Sequence, residues 1–277
     1  MTRAEDSISW PRTALAGAIA LVFLVPFAFL VSTVIRTPAD FAANPGGLPH
    51  SFTLSNLTKA WSDANLGRAL VVSLEMSVVA CLVCVAAALP AAFWFRLHRG
   101  KFARLTRHVL IAGYAVPMIA WLIPIFVILA RSGMTGNIAV AGILNGVSSL
   151  PFAIYFLYTY LLLVLSDEVL DAAALDGATV LSQFWRIAVP LSRPAVASVV
   201  VLVLVWTFGD LLVAATLLQT VPDNYSLPLA AMTLATRESV NLQGQAAAAL
   251  VSLIPVLFIF AFAQKTLVAG FGGNSEK

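Results

Sequence analysis

The sequence predicts an all-α membrane protein with six transmembrane helices, built as one membrane domain over residues 1–277. Three observations carry that expectation. First, 60% of the residues are hydrophobic, only 10% are charged, and the mean hydropathy is +0.93. Soluble domains are roughly 45–50% apolar and 25% charged. Second, six apolar runs each approach or exceed the ~20 residues that a helix needs to cross a bilayer. Third, none of them alternates apolar with polar residues as the strands of a membrane barrel do. This balance excludes a soluble enzyme, a disordered chain and a nucleic-acid binder. The net charge of +3 says little about partners, and two cysteines cannot build a disulfide framework.

The first run, 13–35, exceeds the 7–15 apolar residues of a secretory signal and reads as a retained helix. A long connection follows, 36–68, with Pro38, Pro45, Gly46, Gly47 and Pro49 before an amphipathic stretch near Leu54 to Trp61. The second run is 69–95. Its Glu75 either reaches the membrane interface or pairs with Arg68, one heptad back on the same face, and its Cys81 and Cys84 lie mid-span as inert, buried thiols. Then Arg96, Arg99, Lys101, Arg104 and Arg107 crowd into twelve residues. By the positive-inside rule this loop is cytoplasmic, and so are both termini. The cluster reads as a topology signal, with anionic lipid contact a minor addition. The remaining runs are 109–130, 138–165, 195–218 and 246–267, and a second long outer connection covers 219–245. His50, His98 and His108 are scattered over two loops, so no metal site is expected. No phosphate-binding loop is present, and Gly100-Lys101 lacks the flanking residues of one. The chain is therefore expected to bind no cofactor of its own.

The connection 166–190 is the most informative segment. Ser166 suits an N-cap, and Asp167 and Glu168 suit the positive end of a helix dipole. Ala172, Ala173 and Ala174 favour helix and leave a flat surface. Gly177 can turn the chain. A second short helix, with Phe184 and Ile187 as apolar teeth, is expected to run to Pro190. A connector that rests on the bilayer normally carries basic residues. This one leads with Asp167, Glu168, Asp171 and Asp176, which suits a protein partner.

The segment resembles the coupling motif of ABC importer permeases, Glu-Ala-Ala-x-x-Asp-Gly-Ala followed by spaced Phe, Ile and Pro. Ala172, Ala173, Asp176, Gly177, Ala178, Phe184, Ile187 and Pro190 match it, and Asp171 stands where the motif has Glu. Ile123-Pro124-Ile125-Phe126, Trp206-Thr207-Phe208-Gly209-Asp210 and Phe262-Ala263-Gln264-Lys265 resemble segments of the carbohydrate-uptake branch, in particular the smaller membrane subunit of maltose-type systems. Two places depart from that pattern: Val72-Ser73-Leu74 replaces Asn-Ser-Leu, and the tail ends Gly-Gly-Asn-Ser-Glu-Lys.

The resemblance implies a type I importer permease fold with a cytoplasmic coupling helix, in a bacterial inner membrane. It implies a second six-span permease, two ATPase subunits that bind ATP and Mg, and an extracytoplasmic binding protein as partners. The element from Asp167 to Pro190 would dock on an ATPase subunit, with Asp171 to Pro190 carrying the motif residues. The 219–245 connection would meet the binding protein through Asn224, Tyr225 and Gln243, or serve as a plain connector. Asp210 is an intramembrane acid, a functional candidate by default. With Trp206 and Phe208 it would line the translocation path and bond sugar hydroxyls, or it would be a structural acid bonded to a neighbouring helix. Rival readings are a permease for glycerol phosphate, polyamine or an anion, and a stand-alone carrier. No Lys or Arg lies deep in a span, which weighs against a phosphate.

Overall fold

A computed structural model describes residues 10–235 and 241–271. In chain order the helices are α1 (Trp10–Ile35), α2 (Pro38–Ala43), α3 (Ser55–Asp63), α4 (Leu66–Leu97), α5 (Lys101–Tyr114), α6 (Met118–Arg131), α7 (Ile138–Ser148) and α8 (Leu150–Val164). They continue with α9 (Asp167–Leu175), α10 (Val180–Gln183), a π-helical turn (Phe184–Ala188), α11 (Val189–Phe208), α12 (Leu212–Leu217), α13 (Leu227–Thr233) and α14 (Leu242–Phe271).

Thr13–Ile35, Leu66–Leu97, Val180–Phe208 and Leu242–Ala261 are long and apolar enough to cross a membrane unaided. Two further apolar pairs of helices are bent, and they bring the candidate crossings to six if each pair counts as one span. The expected unbroken helix over 109–130 is instead α5 and α6, set at 91°. Pro117 stands at the corner, and its ring disfavours helical backbone in the residue before it. The expected helix over 138–165 breaks by 48° between α7 and α8. Pro151 in the first turn of α8 has no N–H for the preceding turn. The expected span 195–218 also differs. Its helix begins upstream, ends at Phe208, and resumes as the short α12 after Gly209, Asp210 and Leu211.

The chain divides into two compact units, one of residues 1–64 and 231–251, the other of residues 65–230 and 252–277. In the first unit, α1 leaves Leu21, Val22 and Phe23 largely exposed, as a lipid-facing helix does. Its C-terminal end is anchored by Arg36, which is fully buried. The guanidinium donates to both carboxylate oxygens of Asp40 at 3.1 Å and to the carbonyls of Asp40, Asn44 and Gly47. Asp40 also accepts from the Ser51 hydroxyl at 2.8 Å and from the His50 and Ser51 amides. Arg36 and these donors hold its carboxyl well below the usual carboxylate range. Asn56 of α3 donates to the carbonyls of Val34 and Arg36, both at 2.7 Å. The glycine- and proline-rich connection is thereby folded around one arginine.

In the second unit, α4 packs against α7, α8 and α11. Ala80, Cys84, Ala88 and Ala92 form a four-residue stripe along α4, and all are fully buried. Small residues let helix backbones approach in a membrane. The crossing with α7 is the tightest: a Cβ at Gly142 would lie 2.7 Å from the Met76 carbonyl oxygen, and one at Gly146 2.7 Å from that of Ala80. Cys81 and Cys84 are buried free thiols, and the Cys81 thiol donates to the Val200 carbonyl at 3.4 Å. At the start of α4, Arg68 pairs with Glu75 at 3.5 Å, as their heptad spacing allows.

Candidate functional site

The acidic segment begins where α8 runs out. Ser166 takes extended backbone (φ −72°, ψ 165°), and α9 opens with Asp167 and Glu168. The Ser166 hydroxyl is the main cause of the lowered Glu168 pKa. At its other end, α9 closes in a Schellman turn. The Ala178 amide donates to the Ala173 carbonyl at 2.9 Å and the Gly177 amide to Ala174 at 3.0 Å. Gly177 has φ +77°, the left-handed conformation that a side chain resists. A Cβ there would meet open space, so the backbone, not packing, demands glycine.

Thr179 then caps the next helix, its hydroxyl accepting from the Ser182 amide at 3.3 Å. The expected separate second helix does not form: Val180 to Phe208 is one continuous span. Pro190 has no N–H to give to its preceding turn. The chain widens there into the π turn, where the Val189 amide reaches the Phe184 carbonyl. This rotation sets which residues face outward. Phe184 is not an outward tooth; it is buried, with its ring 5.5 Å from that of Phe93 on α4. Ile187 is half-buried and packs on the same core. Asp171, Ala172, Asp176, Gly177 and Pro190 are exposed, and Ala173 and Ala178 are partly covered. The apolar side chains that do face outward are Leu175, 90% exposed, with Val180, Leu181 and Trp185.

Two residues of the basic cluster reach this segment. Arg96 is only 4% exposed. It donates through Nε to the Leu165 carbonyl at 2.8 Å, again through Nη2, and pairs with Asp167 at 2.8 Å. Arg99 holds both Asp167 oxygens, at 2.7 and 2.9 Å. Arg96 first and Arg99 second lower the Asp167 pKa. Arg107 donates to the Tyr158 hydroxyl at 2.8 Å and lies over its ring. Counting positive charges registers all five residues equally and cannot tell these from Lys101 and Arg104.

A second candidate site lies at the break after α11. A cavity of about 600 Å³ is lined by Trp121, Asn145, Ser148, Trp206, Thr207 and Asp210, among others. Asp210 serves two ends. One carboxylate oxygen accepts from the Val213 and Ala214 amides at 3.1 and 3.4 Å and so caps α12. The Asn145 side chain hydrogen-bonds the same group. Asp210 is thus bonded to a neighbouring helix, as the structural alternative expects, and it also lines the cavity. Trp206 lines the cavity with it, whereas Phe208 does not and is buried at 2% exposure. A helix turns by about 100° per residue, so the residue two places after Trp206 faces away from it. Asn145 and Trp121 complete this polar and aromatic wall and carry no motif.

Of the remaining candidates, Asn224 donates to the Gly136 carbonyl at 2.7 Å and accepts from Arg68 at 3.5 Å. Its side chain is committed to holding a turn. The Tyr225 hydroxyl donates to the Gln219 carbonyl at 3.1 Å, and Gln243 is buried. Among the described residues no three of His, Cys, Asp and Glu converge on a metal site.

The family model for the binding-protein-dependent transport system inner membrane component matches residues 84–272. The chain belongs to that family. As a permease of this kind it is 24% identical to the melibiose/raffinose/stachyose import permease protein of Bacillus subtilis, over 96% of this chain and 95% of that protein. It is 31% identical to the osmoprotective compounds uptake permease protein of a Synechocystis species, over 82% and 76% of the two chains. Its fold matches a chain of a bacterial ABC transporter involved in the import of the acidic polysaccharide alginate, with a TM-score of 0.73, 21% identity, and 96% and 98% of the two chains covered. The region matched by the family model contains the α9 segment, its arginines and the cavity of this permease.

Proposed function

We propose that this permease is one of two membrane subunits of a bacterial inner-membrane sugar importer, with both termini cytoplasmic. The observation that carries the reading is the segment from Asp167 to Trp185. It is an acidic helix fixed at its start by arginines and at its end by a glycine turn, and it presents Leu175 and Trp185 outward. Such a lever suits a protein that pushes on it. The partner is an ATPase subunit that binds ATP and Mg, with Asp171 and Asp176 at the rim of the contact and the small residues Ala172 and Ala173 allowing close approach. Closure of the ATPase dimer then tilts α8 and α11, to which the segment is joined at either end.

The carbohydrate names of several relatives support sugar as the solute, as does the chemistry of the cavity. Sugars have apolar faces and polar edges. Trp121 and Trp206 offer rings, and Asp210, Asn145 and Ser148 offer hydrogen-bonding groups. The turn bearing Asn224 and Tyr225 would meet the extracytoplasmic binding protein through its backbone and the Tyr225 ring. The test is purification of the tagged chain from its native cells in mild detergent, with mass spectrometry of what accompanies it. A phosphate-loop ATPase and a second six-span protein are expected. A stable, monodisperse chain that moves solute alone would sink the proposal.

A further inference from the structure

The last turn of α4 holds both ends of the coupling segment. Arg96 meets its beginning and Phe93, three residues earlier on the same helix, meets its end. A cationic side chain that only sets topology extends into water at the membrane face. Arg96 does the opposite and is 4% exposed. Its guanidinium sits in the corner between α8 and α9. Nε and Nη2 together take the Leu165 carbonyl, left without an intrahelical donor where α8 ends, and Nη2 also pairs with Asp167 in the first turn of α9. A cation is favoured at the first place and an anion at the second, so one fork joins two helix ends by satisfying both. At the far end the Phe93 and Phe184 rings pack 5.5 Å apart, both nearly buried.

We infer that Arg96 is a positioning residue for coupling. It binds the start of the coupling helix to α4, so that α4, α8 and α11 take up the push of the ATPase as one body. Without it the start of α9 is held only by the exposed Arg99 pair and by the packing of Leu170, and part of the push is absorbed by a hinge at Ser166. Arg99 holds the same carboxylate but is 63% exposed, so solvent screens it and it contributes less. A lysine is a weaker substitute for Arg96, because an ammonium lacks the planar fork with which Nε and Nη2 together hold the Leu165 carbonyl. The inference rests on the coupling reading above.

The test uses the complete complex in sealed proteoliposomes, with the ATPase and binding protein present, and reads sugar moved per ATP hydrolysed. R96M is expected to lower that ratio by about tenfold while the subunits stay assembled, since it leaves the buried Leu165 carbonyl without its donor and Asp167 with only the exposed Arg99. R96K and D167N are expected to fall in the same direction by smaller factors, and R99M by less than R96M. R104M, in the same basic cluster but exposed, is the control and keeps the wild-type ratio. If R96M fails to assemble, R96K and D167N decide. Wild-type ratios in both would overturn the inference. A wild-type complex in which ATP hydrolysis drives no uptake would instead overturn the coupling reading itself, before any variant is compared.

Discussion

Gly177 and Asp167 show how much of the segment's rigidity comes from single residues. Gly177 has open space around it, so only its positive φ resists a side chain. Gly177→Ala is expected to cost about 1–2 kcal/mol of local stability, the penalty of left-handed backbone. Amide exchange of Ala178, whose hydrogen bond closes the turn, is expected to quicken accordingly. Gly177→Asp adds bulk at the partner surface and is expected to abolish uptake. Asp167 has its pKa lowered by Arg96 and Arg99. A carboxylate whose folded pKa lies below its unfolded value stabilises the fold above the unfolded pKa and loses that effect as pH falls through the folded one. The difference in thermal midpoint between wild type and D167N should therefore hold steady from about pH 8 to pH 5 and shrink only below the ordinary carboxylate range. A difference that vanished near neutrality would contradict the clamp. At this scale the sequence was legible by type and not by direction. The motif named Phe184, but only the π turn decides that its ring faces Phe93. Arg96 was legible as one charge among five, because nothing in its neighbours announces the Leu165 carbonyl that it meets.

Helices were located well by hydropathy and their interruptions were not. A window average registers how apolar a stretch is, not the path of its axis. The breaks before Pro117, before Pro151 and around Asp210 leave the average almost unchanged, though each bears a residue with a reason to stop a helix. The crossing of α4 and α7 was equally invisible, since Gly142 and Gly146 count as mildly apolar whichever way they face. The structure makes them indispensable, as a Cβ at either would lie 2.7 Å from a backbone oxygen. Gly142→Leu is expected to destabilise the second unit by about 1–3 kcal/mol, the usual cost of overpacking. Gly113→Leu, where a Cβ meets nothing, is expected to be far milder. Thermal unfolding of the two variants in detergent checks the contrast.

For the chain as a whole, orientation follows from where the arginines and lysines lie. With the native thiols buried, single cysteines report sidedness cleanly. A membrane-impermeant maleimide added to intact spheroplasts is expected to label Gly46→Cys and to leave Lys101→Cys unlabelled until the membrane is opened. The reverse pattern would invert the topology and with it the place of the ATPase. The large exposed apolar surfaces of α1 and of Ile254 and Leu257 on α14 suit lipid or a sister subunit, not water.

The contact between α4 and α7 has a mechanical meaning beyond its stability. Val79 and Val83 stand one turn apart on α4 and lie against the positions where Gly142 and Gly146 lack side chains. Such a seat behaves as a pair of notches. Axial travel would carry the valines off the glycines and against the side chains between them, so the two glycines that bring the helices together also fix their register. A force delivered to the end of α4 is therefore expected to carry α7 with it.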